Sequence, residues 1–330
     1  MAGLLAFTAA RRLRLVVALG LVLISVAASP AQAAFPGTPG PIAYTKGIST
    51  ELEGTTGGIF AHGPGQSDPS RRLTADPYDT APSYSPNGRL VVFARIDLFG
   101  QPAPSQIYVM NTDGSGSRAL TDGTTFDSNP SFSPDGRRVV FDRAVGATRI
   151  PQIFVVNLDG SGLRQLTRSG HNSDPVFAPN GRWIAFVSRR DQDARSDRGD
   201  IFSMRPDGSR QRVLIDSPRQ ESAPDISPDG RRIAFVRSSD HGPNVFIARS
   251  SGRRVRALTD DDCFRTVCHL SLAWAPDGRH IAFIHDSRYS ADLEVMRSDG
   301  TNRKEFATGT TEVEGYGTTL SAPAWGPKPR

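Results

Sequence analysis

Cysteine is nearly absent from this 330-residue chain, with Cys263 and Cys268 its only two. That scarcity excludes a disulfide-built scaffold and a four-cysteine zinc site. The six histidines (His62, His171, His241, His269, His280 and His285) are scattered, with no His-x-His or His-x3-His pair among them. No basic run interleaved with aromatics occurs, which excludes a nucleic-acid-binding tract. Long apolar runs are missing too. The stretch from Leu15 to Ala28 is too short to span a bilayer comfortably. Outside this N-terminal stretch, apolar residues show no helical periodicity. A Gly-x-Ser-x-Gly nucleophile elbow is absent, which argues against a serine hydrolase of that kind.

What the chain has instead is a phrase repeated at a nearly fixed period. It reads Ser85-Pro86-Asn87-Gly88-Arg89, Ser133-Pro134-Asp135-Gly136-Arg137, Ala178-Pro179-Asn180-Gly181-Arg182, Ser227-Pro228-Asp229-Gly230-Arg231 and Ala275-Pro276-Asp277-Gly278-Arg279. From Gly88 through Gly136, Gly181 and Gly230 to Gly278 the spacing is nearly even. The period is about 48 residues, in the range of solenoids, propellers and arrays.

Each phrase lies between short runs of β-branched and aromatic residues bounded by Pro and Gly, which read as strands. Pro82-Ser83-Tyr84 or Pro130-Ser131-Phe132 precedes it, and Leu90-Val91-Val92-Phe93 or Ile233-Ala234-Phe235 follows. Asn-Gly and Asp-Gly supply the left-handed backbone of a tight turn, so these two strands form a hairpin. A third strand comes next, as in Gln152-Ile153-Phe154-Val155-Val156, then an Asp-Gly-Ser turn such as Asp159-Gly160-Ser161. The fourth reads Arg118-Ala119-Leu120-Thr121 or Arg164-Gln165-Leu166-Thr167. Four antiparallel strands per repeat make one propeller blade.

The two ends complete the count. Gly40-Pro41-Ile42-Ala43-Tyr44 looks like a second strand with no first, and Gly57 to Phe60 and Arg71 to Thr74 supply the third and fourth. Ser321 to Pro327 is a first strand with nothing after it. The sequence therefore predicts an all-β, six-bladed β-propeller over residues 40–330, closed by the C-terminal strand joining the N-terminal blade. A closed ring needs no partner to finish its core.

Ahead of it, residues 1–33 read as an export signal. Arg11, Arg12 and Arg14 form a basic start, Leu15 to Ala28 the apolar run, and Ala31-Gln32-Ala33 a small-x-small cleavage site. The mature start is placed at Ala34, with a short linker over 34–39 and no stable membrane span after signal removal. The formal charge of +5 includes those three arginines, so the mature protein is near +2. In an exported protein Cys263 and Cys268 are expected to form one local disulfide. The expected location is periplasmic or extracellular, in or near the cell envelope.

The full phrase, from x-Pro-x-Φ-Ser-Pro-Asp-Gly-Arg-x-Ile-Ala-Phe through Asp-Ile-Φ-x-Met and Asp-Gly-Ser to Arg-x-Leu-Thr, resembles the WD40-like (PD40) repeats of the TolB propeller. The resemblance covers about residues 40 to 327. It implies a propeller fold and an extracytoplasmic binding role, and does not imply the same partner. TolB carries an α/β domain ahead of its propeller, whereas here the propeller is expected directly after the leader. Similar propellers precede the catalytic domain of prolyl oligopeptidases, but the repeats take up nearly the whole chain. Some lyases resembling this repeat group use channel histidines and a metal, and here only His269 falls at a comparable place.

One position per blade stands out, seven before each turn proline: Asp79, Asp127, Asn172, Glu221, His269 and Leu320. In the propeller model it leads into the innermost strand, so these residues would ring one mouth of the channel. Asp79, Asp127, Asn172 and Glu221 are of the type that ligates a hard cation, calcium above all, or accepts hydrogen bonds from a ligand. The bland reading is that they cap turns or bond backbone amides. Asp-Gly-Ser turns lack the spacing of a calcium loop. Asp260-Asp261-Asp262 and the mixed-charge loop from Arg189 to Gly199 are most simply solvated, although loops on a rigid scaffold often carry function. The expected function is non-enzymatic binding of a cell-envelope or extracellular protein or peptide at the channel mouth and loops. The alternative is a metal-assisted enzyme or saccharide-binding protein of the channel; no cofactor is firmly implied, and a divalent cation is the one considered.

Overall fold

The computed structural model describes residues 34–50, 54–63, 70–97, 104–190, 198–261, 271–286, 290–310 and 318–329. Six four-stranded antiparallel sheets make up these residues. Five are sequential meanders. Their innermost strands are Asp79–Tyr84 (blade 2), Asp127–Phe132 (blade 3), Asn172–Phe177 (blade 4), Glu221–Ile226 (blade 5) and Leu272–Trp274 (blade 6). Blade 1 is assembled from both ends: Thr318–Pro327 is its innermost strand and pairs with Pro39–Thr50. There Ile42 stands opposite Trp325, and the Trp325 indole N–H donates to the Gly40 carbonyl at 3.1 Å. The ring is thus closed through blade 1, as the half-repeats at the ends required.

The repeated phrase is a self-contained turn. In Ser85-Pro86-Asn87-Gly88 the Gly88 N–H donates to the Ser85 carbonyl at 2.9 Å, and the Leu90 N–H donates to the Ser85 hydroxyl at 2.9 Å. Asn87 accepts from the Arg89 N–H. Ser133–Asp135 and Ser227–Asp229 repeat the arrangement. Only the glycine needs left-handed backbone, with φ of 70° at Gly88 and 68° at Gly230. The Asp-Gly-Ser turns are hairpins as well: Asp113, Asp159 and Asp207 each accept from the N–H and hydroxyl of the serine two residues on. Those bonds favour the ionised acid and lower its pKa.

The Ile-Ala-Phe segments supply the core. Phe93, Phe141, Phe186, Phe235 and Phe283 are all fully buried, each in the second strand of its blade. The outermost strands are shorter than the sequence suggests, only two residues in blades 1, 2, 3 and 5. A side chain replaces the missing ladder: Thr74, Thr121, Thr167 and Thr259 accept the N–H of Ile59, Ile107, Ile153 and Val245 at 2.8–3.0 Å. Blade 4 has Ile215 in that place, and its outer strand runs on through Arg212–Ile215 with a register shift.

Two features were not foreseen. The innermost strands are bulged at the residue before proline, with Ala81, Asn129, Asp174, Ala223 and Ala322 all at φ between 47° and 55°. Such backbone is uncommon for non-glycine residues, and here the flanking register shifts by one. Residues 34–38, at the start of the described chain, are packed against the ring. Ala34 and Phe35 are buried, and Phe35 joins the large apolar cluster spanning blades 2 to 5. The described residues contain no helix long and apolar enough to cross a membrane.

Candidate functional site

All innermost strands run the same way, from one face of the ring to the other. The face where they begin carries the connections between second and third strands and between blades. Among the described residues the opposite face carries mainly the Ser-Pro-Asp-Gly and Asp-Gly-Ser type turns, together with residues 34–38 and the longer connection between the third and fourth strands of blade 1. Asp79, Asp127, Asn172 and Glu221 are each the first residue of an innermost strand, at the end nearest the loop face.

The structure gives each of them a partner inside its blade. All four are fully buried. Asp79 accepts from Arg95 Nε at 2.6 Å and Nη2 at 2.7 Å; Asp127 accepts from Arg143 at 2.6 and 2.8 Å. Glu221 accepts from Arg237 Nε at 2.7 Å, and the Asn172 side-chain oxygen accepts from Arg190 at 2.8 Å. Each arginine then lies over the aromatics of the second and third strands. Arg95 is 4.7 Å from the Tyr108 ring centre, Arg190 4.9 Å from Phe202 and Arg237 5.1 Å from Phe246. These are stacked, charge-assisted contacts, repeated blade by blade. Burial raises the Asp79 and Asp127 carboxyls, and the facing guanidinium pulls each back.

Glu221 departs from the pattern. Burial raises it to about 7, with Ser217 and Arg237 opposing and the nearby Asp200 carboxylate adding. Its Oε2 has no hydrogen-bond partner among the described residues. Leu320 is buried opposite Lys46. His269, Cys263, Cys268, Asp262, the leader at 1–33 and residues 191–197 of the charged loop lie outside the described residues. Asp261 pairs with Arg303 at 2.7 Å. The described residues contain no group of three or more His, Cys, Asp or Glu arranged to hold a metal.

Sequence reasoning missed a second polar set, built by the bulges. Asn129 of blade 3 donates to Asp174 of blade 4 at 2.9 Å and to Asp142 at 3.3 Å. Ala322 of blade 1 donates its N–H to Ser271 of blade 6 at 3.0 Å. Asp225 of blade 5 accepts the N–H of Trp274 of blade 6 at 2.6 Å. Neighbouring innermost strands are thus stitched by single side chains. Burial pushes Asp174 up to about 7, against the Ala223 N–H and Arg189, and Asp142 well up, with the Asp174 charge adding. The pair can hold a proton between blades 3 and 4, but both residues are almost wholly shielded from solvent. A sequence signal existed in Asn129 and Asp174, which stand before proline where blades 1, 2 and 5 have alanine.

On the loop face the described residues form a cleft of about 380 Å³ between blades 2 and 3, lined by Pro104, Thr124, Phe126, Arg143, Val145 and Arg149. It is shallow, partly apolar, and edged by the Asp127–Arg143 pair. Such a surface can seat a peptide segment; it presents no exposed acid–base pair or nucleophile.

Comparison with known proteins agrees with this architecture. A family model described as the TolB beta propeller domain (PD40) matches residues 74–222 and 144–329. A TolB homolog of Chlorobium luteolum is 35% identical over 83 residues, 25% of this chain and 17% of that protein's length. An uncharacterised peptidase of Bacillus subtilis, YuxL, is 35% identical over 74 residues, 22% of this chain and only 11% of that one. The crystal structure of TolB from Acinetobacter baumannii superposes with a TM-score of 0.70 at 20% identity, covering 88% of this chain and 67% of that one.

Proposed function

This chain belongs to the TolB β-propeller (PD40) family, and from that premise we propose that it is an exported scaffold that binds a protein or peptide of the cell envelope or extracellular space through its loop face. The observation that carries this reading is the asymmetry of the two faces. One is built mostly from repeated tight turns; the other bears connections of unequal length, which line the 380 Å³ cleft between blades 2 and 3. Variable loops on a rigid ring are the usual place for recognition. In this reading Asp79, Asp127, Asn172 and Glu221 work as anchors. By holding an arginine against the blade they fix the strand starts from which the loops spring. A divalent cation, calcium among them, has no role in it.

The test is a photo-reactive side chain placed at Arg149, beside the cleft, and separately at Arg137 on the turn face. Both proteins are exposed to native envelope extract, and metal content is assayed on the same samples. One discrete species cross-linked from position 149 and not from 137 is expected. Equal labelling from both faces, or a stoichiometric divalent ion with no cross-linked species, would overturn the reading in favour of channel chemistry.

A further inference from the structure

A buried acid on the turn-face half of the channel has no use in the binding reading. Asp225 is fully buried near the end of the innermost strand of blade 5. Its Oδ1 accepts the Ile226 N–H at 2.7 Å and its Oδ2 the Trp274 N–H at 2.6 Å. The third donor is the backbone N–H of Ala34, and among the described residues no charged side chain acts on this carboxylate. Burial accordingly drives its pKa well above the usual range. Other blades put Ser83, Ser131 or Val176 at the corresponding position. An isolated buried carboxylate is costly unless a cation meets it.

Residues 34–38 reach that acid from the turn face. The Gly37 N–H donates to the Pro276 carbonyl at 3.2 Å, and the Thr38 carbonyl accepts from Lys328 N–H at 2.9 Å. From there the chain turns inward, leaving Ala34 only 2% and Phe35 5% exposed. Ala34 is also the residue that follows the small-x-small site Ala31-Gln32-Ala33.

We infer that Ala34 is the mature N-terminus and that its α-ammonium group is the counter-ion of Asp225, locking residues 34–35 into the channel as a plug. The inference rests on the export reading above. A leader peptidase hydrolyses the Ala33–Ala34 amide: the C–N bond breaks, water supplies the oxygen of the new Ala33 carboxylate, and the Ala34 nitrogen takes up protons as an ammonium. An α-amino group has a pKa of about 7.7–8.0, so it is charged at neutral pH. It offers three donors where the peptide N–H offered one, in charge-assisted bonds roughly twice as strong. Cleavage would thereby convert an uncompensated buried acid into an ion pair, and the ring would reach full stability only after processing. Phe35 then closes the channel from the turn face.

The experiment begins with the mass of the exported full chain. No cleavage overturns the export reading and this inference with it, whereas cleavage at a start other than Ala34 overturns this inference alone. With protein that does start at Ala34, amine acetylation is followed by mass spectrometry; the chain has only three lysines, Lys46, Lys304 and Lys328, so the α-amino group is easily resolved. Its acetylation is expected to be at least tenfold slower than that of exposed Lys328, with Asp225→Asn restoring the exposed rate. A second preparation carries one extra glycine ahead of Ala34 and leaves Asp225 untouched, so the comparison survives if Asp225→Asn fails to fold. It should melt several degrees below the Ala34-start protein. An α-amino group as reactive as Lys328, together with an unchanged melting temperature for the extended protein, would overturn the inference while leaving the export reading in place.

Discussion

Single residues between the blades carry charges that the interior disfavours, and pH reads them out. Asp174 has a usual pKa of 3.8 and stands at about 7 in the folded ring. Its folded state holds a proton more tightly than the unfolded chain. That contribution to stability is complete below about pH 4 and is lost as pH rises through 7. Asp174→Asn mimics the protonated form and still accepts from Asn129 and the Ala223 N–H. The variant should therefore gain on the parent between pH 4 and 8, by on the order of 3 kcal/mol. Urea unfolding of both proteins at pH 5 and pH 8 measures it, and a difference that does not change with pH would sink the assignment. The same scale shows why the candidate site was only half legible. The positions of Asp79, Asp127, Asn172 and Glu221 follow from counting back from the turn proline. Their arginines do not, because the partner is set by strand register: 16 residues on for Asp79, but 18 for Asn172 with Arg190. Asp225 sits in a Pro-x-Φ stretch where nothing but its own charge distinguishes it, and the segment that meets it, at Ala34, is remote in the sequence.

At the level of the element, the same turn glycine does different work in different blades. A Cβ on Gly230 would meet nothing within 4 Å, whereas on Gly88 it would lie 2.4 Å from the Pro327 carbonyl oxygen. Both have left-handed backbone. Gly230→Ala is expected to cost only the backbone strain, about 1–2 kcal/mol. Gly88→Ala adds a backbone clash at the ring closure and should cost at least twice as much. Chemical denaturation of the two variants decides it; equal losses would mean that the closure strand yields freely. Turn chemistry was readable because Pro and Gly fix backbone angles locally. The bulges were not, since an alanine before proline signals extended chain, and only the whole innermost strand forces Ala81, Ala223 and Ala322 to φ near 50°. The shortness of the outer strands was hidden for a similar reason: Arg-x-Leu-Thr looks like four strand residues, but its threonine side chain stands in for the ladder.

For the whole molecule, the half-repeats at the two ends made the blade count and the closure predictable without any knowledge of packing. Repeats contact mainly their neighbours, so the ring should depend on the one seam that is not covalent. A chain ending before Thr318 leaves blade 1 with three strands and strips the cover from Ile42, Ala43 and Tyr44, all buried in the closed ring. It is expected to lose its single sharp thermal transition and to bind a hydrophobic dye. Melting at the parent's midpoint would show that closure contributes little.

That seam also sets how the molecule bears load. Pro39 and Pro327 stand opposite each other where the paired strands meet the turn face. A pull applied through both ends acts across this ladder rather than along it, so the bonds break in succession, as in a zipper, and do not resist together in shear. A tether at the C-terminal side draws on the same face, away from the loops. Tension would open the propeller at blade 1 long before any other blade felt it, while the loop face stayed turned outward.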